Sequence, residues 1–118
     1  MAVTIYHNPG CGTSRNTLQY LRDQGLKPVV IEYLKTPPDR ATLNGLLSRM
    51  NMTPGTLLRR KGDVYMSLGL DKPGVTDAQI LDAMLEHPVL IERPIVVTGE
   101  AAALCRPWEK VKDLVPPR

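Results

Sequence analysis

The chain has 118 residues, 42% of them hydrophobic and 23% charged, which suits one globular domain that buries roughly two-thirds of its unfolded surface. No run approaches the roughly 18 apolar residues of a membrane span, and the N-terminus has no basic-then-apolar leader, so a cytoplasmic protein without a membrane partner is expected. The net charge of +3, from 15 basic and 12 acidic residues, gathers into no basic stripe, which argues against nucleic acid as a partner.

Val3-Thr4-Ile5-Tyr6 is β-branched and aromatic and reads as a strand, whereas Thr17 to Arg22 places Leu18 and Leu21 at helical spacing. Between them lies His7-Asn8-Pro9-Gly10-Cys11-Gly12-Thr13-Ser14-Arg15, a glycine-containing strand-to-helix turn. Thr13 and Ser14 are candidate N-caps, because a hydroxyl accepts from the free N–H groups of a first turn. Cys11 then sits beside a helix N-terminus, where partial positive charge and unpaired donors favour thiolate over thiol. The same donors suit a tetrahedral oxyanion, and Gly10 and Gly12 leave its approach clear. His7, at the strand end, is placed to exchange a proton with either, and Arg15 adds charge. Taken singly, a free cysteine is most often a small buried hydrophobe and a lone histidine a structural group. Gathered in one turn, they make a candidate nucleophile with a proton-exchanging neighbour.

Beyond the first helix, Gly25 is a natural C-terminal stop and Pro28-Val29-Val30-Ile31 opens a second strand that runs to Tyr33, completing a βαβ unit with parallel strands. Their continuous apolar character predicts a sheet covered on both faces. Thr36-Pro37-Pro38-Asp39 opens another helix, with Leu43, Leu46, Leu47 and Met50 as its buried stripe. Thr53-Pro54 starts a short segment in which Leu57 and Leu58 face inward, followed by Arg59-Arg60-Lys61, a triplet that is ordinarily a solvated helix end. Residues 64–70 have the spacing of a short helix closed by Gly69, and 71–74 form a turn. Thr76-Asp77-Ala78-Gln79 matches a capping box before Ile80, Leu81, Met84 and Leu85, and Pro88 stops that helix with His87 as its cap.

Arg93-Pro94-Ile95-Val96-Val97 puts a proline at the mouth of a strand, where it is either an edge residue or a cis bond. Gly99 marks a turn, and Ala102 to Cys105 reads as the antiparallel partner. Arg106-Pro107 then opens a final helix with Val111, Leu114 and Val115 inward and Trp108 as a packing residue.

Two cysteines with 93 residues between them, in a reducing compartment, read as thiols at rest. Together with two histidines they make the ligand count of tetrahedral zinc, but in no finger-like spacing, so no metal is expected. Cys11-Gly12-Thr13-Ser14 has serine where a C-x-x-C oxidoreductase carries its resolving cysteine, so a thiol from elsewhere must resolve any adduct. Cys105 reads as a buried structural thiol. Arginine outnumbers lysine nine to six, and its planar fork suits oxyanions.

The His7 to Leu18 stretch resembles the active-site loop of the glutaredoxin-coupled arsenate reductases. The likeness continues through Tyr33-Leu34-Lys35-Thr36-Pro37-Pro38, Leu57-Leu58-Arg59, His87-Pro88, Glu92 to Val97 and Leu104-Cys105-Arg106-Pro107, and so covers essentially the whole chain. It implies a single thioredoxin-like α/β domain: a mixed sheet from a parallel βαβ unit and a C-terminal hairpin and helix, with an all-helical insertion over roughly residues 36–87. It implies that Cys11 attacks arsenate, that His7 tunes it, that Ser14 hydrogen-bonds to the thiolate, and that Arg59, Arg93 and Arg106 bind the oxyanion. Pro94 becomes the fold's cis-proline beside the site, with Gly12 and Thr13 shaping the loop. The implied reaction reduces arsenate to arsenite in arsenic detoxification, with no bound cofactor, glutathione as co-substrate, glutaredoxin as partner and a monomeric enzyme. The rival is a glutathione-dependent thiol/disulfide reductase of the same fold. A redox-sensing transcription-regulator branch shares the fold but switches through a C-x-x-C, which Ser14 excludes.

Overall fold

A computed structural model describes residues 1–118, which form two compact units, one of Met1–Thr36 with Arg93–Arg118 and one of Pro37–Glu92. The first unit contains strand β1 (Val3–His7), helix α1 (Gly12–Asp23) and strand β2 (Val29–Glu32), then strands β3 (Ile95–Thr98) and β4 (Ala101–Leu104) and a C-terminal helical turn, Trp108–Leu114. Its sheet runs in the order β2-β1-β3-β4. β1 pairs in parallel with β2 and antiparallel with β3, setting Ile5 opposite both Val30 and Val96, while β4 returns antiparallel beside β3. This is the mixed sheet expected of a thioredoxin-like fold.

Alternation along β1 decides where the functional end of the strand points. Val3, Ile5 and His7 are buried and Thr4 and Tyr6 only half-buried, the two-residue period of a strand. Val3 and Ile5 pack with Leu18, Tyr20 and Leu21 of α1, and with Val96, Cys105, Val111 and Val115. His7 is therefore the last inward position of a strand whose earlier inward positions are core. Gly25 ends α1 at φ +79°, a left-handed conformation that a Cβ would strain. The Tyr20 hydroxyl donates to the Val115 carbonyl at 2.6 Å, tying α1 to the C-terminus, and its ring meets Trp108 with centroids 5.9 Å apart.

The expectation that both faces of both parallel strands are covered fails for β2. It is an edge strand, Val29 is 59% exposed, and its partner lies on one side only. The choice at Pro94 resolves to a cis bond on an interior strand. Arg106–Pro107 is also cis, and Pro107, at an extended ψ of 163°, caps the last helical segment, which begins at Trp108, where the sequence had Pro107 opening it.

The second unit is all-helical: α2 (Arg40–Met50), α3 (Pro54–Leu57), α4 (Asp63–Ser67) and α5 (Asp77–Glu86), closed by a 3₁₀ turn at Pro88–Leu90. Its starts follow the sequence, with Asp39 accepting from the Thr42 N–H at 2.8 Å and reciprocal capping boxes at Thr53–Thr56 and Thr76–Gln79. Leu43, Leu46, Leu47, Leu57, Met84 and Leu90 are among its most deeply buried apolar residues. The unit reaches Glu92 because an antiparallel bridge joins Leu58 to Ile91, with the Arg59 N–H donating to Leu90 and the Glu92 N–H to Leu57. Such pairing across some thirty residues leaves no local periodicity to read. No helix is long and apolar enough to cross a membrane.

Tyr20→Phe removes one buried donor and strands the Val115 carbonyl, so urea unfolding should show a loss of about 1–2 kcal/mol with the fold retained. An unchanged midpoint would show that this tie contributes nothing to the packing of α1.

Candidate active site

The turn between β1 and α1 is closed by its own asparagine. Asn8 accepts the Cys11 N–H on its carbonyl at 3.0 Å and the Gly10 N–H on its side chain at 2.9 Å, an Asx turn that swings the chain into the helix. Thr13 and Ser14 are not the caps anticipated above. Cys11 is itself the N-cap, at φ −103° and ψ 123°, and the helix begins at Gly12 with the Arg15 N–H bonded to the Cys11 carbonyl. The Ser14 hydroxyl is drawn elsewhere: it lies 2.6 Å from His7 Nδ1 and accepts the Asn8 N–H at 3.1 Å. Thr13 sits within the first turn, its carbonyl accepting from the Thr17 hydroxyl at 2.9 Å. With no side-chain oxygen capping the helix, the free donors of its first turn are left to the sulfur of the N-cap residue.

That sulfur is half-buried, and burial alone pushes a thiol up. The Ser14 backbone N–H and hydrogen bonds from Arg93 and Arg106 act against burial and prevail, holding Cys11 at about 7. Arg106 Nη1 approaches the sulfur to 3.6 Å and also donates to the Arg93 carbonyl at 3.0 Å, so its position is fixed by backbone. Arg93 is buried on the residue before cis-Pro94, and its Nε and Nη1 have no acceptor in the protein. Buried polar groups are almost always satisfied. Two unsatisfied donors of a buried guanidinium beside the Cys11 sulfur are a fork with the geometry to receive an anion.

His7 stands one step behind. Its imidazole is held below its ordinary value, chiefly by burial, with Glu32 opposing and Arg22 and Arg15 adding to the depression. Burial thus favours its neutral form, and Ser14 links it to Cys11, the hydroxyl lying 2.6 Å from Nδ1 and the N–H meeting the sulfur.

Cys11, Ser14, Arg93 and Arg106 thus converge, with Gly12 open to solvent and Pro94 buried at the strand mouth. Arg59 belongs to the helical unit, where it pairs with Glu92 at 3.1 Å. Two contributors escaped the sequence reading. Asn8 is the hinge of the turn, and the Asn-x-Gly spacing was its signal. Tyr33, at the end of the second strand region, is fully buried with its hydroxyl hydrogen-bonded to Arg93 and Asn8, and nothing local in sequence marks it. Cys105 is buried in the core, its thiol pushed up to about 12.

The arrangement matches known proteins along nearly its whole length. The model of the ArsC family matches residues 6–114. A Rhizobium meliloti protein named arsenate reductase is 52% identical over 98% of this chain and 83% of its own. An Escherichia coli protein of the same name is 52% identical over 97% of this chain and 81% of its own. Among solved structures, an arsenate reductase from Vibrio cholerae superposes with a TM-score of 0.92 at 41% identity, covering 98% of each chain.

Alkylation of the native protein by iodoacetamide should stop at one thiol, Cys11, and should accelerate with pH about a midpoint near 7, thiol predominating below it and thiolate above. Arg106→Ala should move that midpoint upward. A rate that stays flat from about pH 6 to 8 would show a sulfur not tuned by its neighbours.

Proposed function

Because the chain belongs to the ArsC family and is an arsenate reductase, we propose that Cys11 is its nucleophile and that glutathione and glutaredoxin supply its electrons. The observation that carries this is the pair of guanidinium groups on a sulfur held at about 7. Arsenate is a tetrahedral oxyanion at neutral pH, and a thiolate approaching it meets charge repulsion. Arg93 and Arg106 screen that repulsion and hold the oxygens in line with Cys11. Arg59 is the third oxyanion arginine by its place in the family motif, and it is the one already engaged by a carboxylate.

Attack of Cys11 forms an S–As bond and expels one oxygen as water. The partial positive end of α1 and the Ser14 N–H stabilise whichever of thiolate or adduct is present. Glutathione then attacks the adduct, the two sulfurs join, and arsenic takes the electron pair and leaves as arsenite. In sum, two thiols and arsenate become a mixed disulfide, arsenite and water: each sulfur gives one electron and arsenic gains two. Serine at position 14 leaves no internal thiol to clear the disulfide, so glutaredoxin removes the glutathione by exchange. A reducing cytoplasm suits this chemistry, and Cys11 and Cys105 are both free thiols.

With arsenate, glutathione and glutaredoxin together, the protein should form arsenite. Cys11→Ser should abolish it while Cys105→Ala retains most of it. Arg93→Ala or Arg106→Ala should lower kcat/KM for arsenate by roughly tenfold or more, as loss of a charge-assisted contact implies. Turnover by Cys11→Ser would remove the mechanism, and full kcat/KM in both arginine variants would remove the anion site. Arg59→Ala, measured beside them, reads whether that residue contributes to arsenate KM at all.

A further inference from the structure

Three arginines lie on or beside the nucleophile's turn, and they are not equivalent. Arg93 is buried, and Arg106 is committed to the Cys11 sulfur and the Arg93 carbonyl. Arg15 is exposed on the first turn of α1. Its guanidinium is tied to the turn: Nη1 donates to the Pro9 carbonyl at 2.8 Å, and Nη2 lies 3.6 Å from where a Cβ on Gly12 would stand. The charge is therefore held over the residue that follows Cys11. No acidic side chain pairs with it, and the first turn of α1 contains no acidic residue.

Resting on the glutathione reading above, we propose that Arg15 is the docking cation for a carboxylate of glutathione, orienting its thiol toward the sulfur of Cys11. Glutathione has two carboxylates and one ammonium and reaches the site as an anion. Arsenate bound at Arg93 and Arg106 has by then consumed their positive charge, so a second anion needs a separate cation. A guanidinium already anchored by one nitrogen loses little freedom when it accepts a carboxylate on the others, and its fork matches the carboxylate's geometry. Gly10 and Gly12 place no side chain on either flank of Cys11, and the nearest atom to a Cβ on Gly12 is Nη2 of Arg15 itself. The assignment divides the arginines by depth, the buried Arg93 and half-buried Arg106 for the inorganic substrate and the exposed Arg15 for the organic thiol.

The alternative is that Arg15 only clamps the loop through Pro9. The two are separated with full-length protein whose Cys11 has been converted to its 2-thiopyridyl disulfide, a neutral leaving group. An attacking thiolate bonds to the Cys11 sulfur, the original S–S bond breaks, and pyridine-2-thione departs with the electron pair and is followed by absorbance. The rate constant is measured with glutathione and with uncharged 2-mercaptoethanol, for wild type, Arg15→Lys and Arg15→Gln. In Arg15→Gln the ratio of glutathione to 2-mercaptoethanol rate constants should fall roughly three- to tenfold at low salt, with Arg15→Lys between. The wild-type ratio should itself shrink as the Debye length drops from about 10 Å at 0.1 M salt to about 3 Å at 1 M. A ratio that Arg15→Gln leaves unchanged, whether both rates fall together or neither does, overturns the proposal and leaves arsenate reduction with glutathione intact. If wild type forms no arsenite with glutathione in the parallel assay, the parent reading fails and this assignment with it.

Discussion

A sulfur half withdrawn from water stays ionised only if directed donors replace the hydration it has lost. At Cys11 the replacements are the Ser14 N–H and the guanidinium groups of Arg93 and Arg106, and they outweigh burial. The remainder of the first unit can be understood as the means of holding those donors still. α1 must start at Gly12, which Asn8 ensures by folding the preceding turn, and no side chain may cap it. The Ser14 hydroxyl is kept from that role by His7 Nδ1, and His7 is where it is because β1 alternates. A chain of short-range causes thus runs from the two-residue period of a strand to the ionisation of a thiol.

The guanidinium groups arrive by a different route. Arg93 precedes β3 and Arg106 follows β4, and the hairpin pairs Ile95 with Leu104, bringing the two flanks together. The Cys105 N–H donates to the Pro94 carbonyl at 2.9 Å and Arg106 to the Arg93 carbonyl at 3.0 Å, extending the ladder past the last residues of the strands. Charge placement here is a matter of register: a slip of one residue would shift Arg106 by about 3.3 Å and turn it to the other face.

Local chemistry explains what was legible. The strand-turn-helix around Cys11, the helix starts at Asp39, Thr53 and Thr76, and the proline-marked hairpin all announce themselves through residue types within a few positions. The N-cap was misread because Thr13 and Ser14 are good cap residues in isolation, and only the inward-facing His7 explains why Ser14 is occupied elsewhere. β2 was misread because an apolar run looks alike at the edge and in the middle of a sheet. Tyr33 was invisible because its significance lies in a buried hydroxyl meeting Arg93, sixty residues away in the chain. Arg93 and Arg106 were singled out among nine arginines by family likeness, and their approach to the sulfur rests on the hairpin.

The fold contains a second sulfur and keeps it inert. Cys105 is fully enclosed and its thiol is pushed up to about 12, whereas Cys11 is only half-buried and its thiol is held at about 7. An oxidant such as peroxide therefore meets a single target, and no neighbouring thiol can trap the resulting sulfenic acid as an internal disulfide. The molecule has no reserve of its own against overoxidation. Recovery of an oxidised Cys11 then depends on a thiol brought from outside the chain.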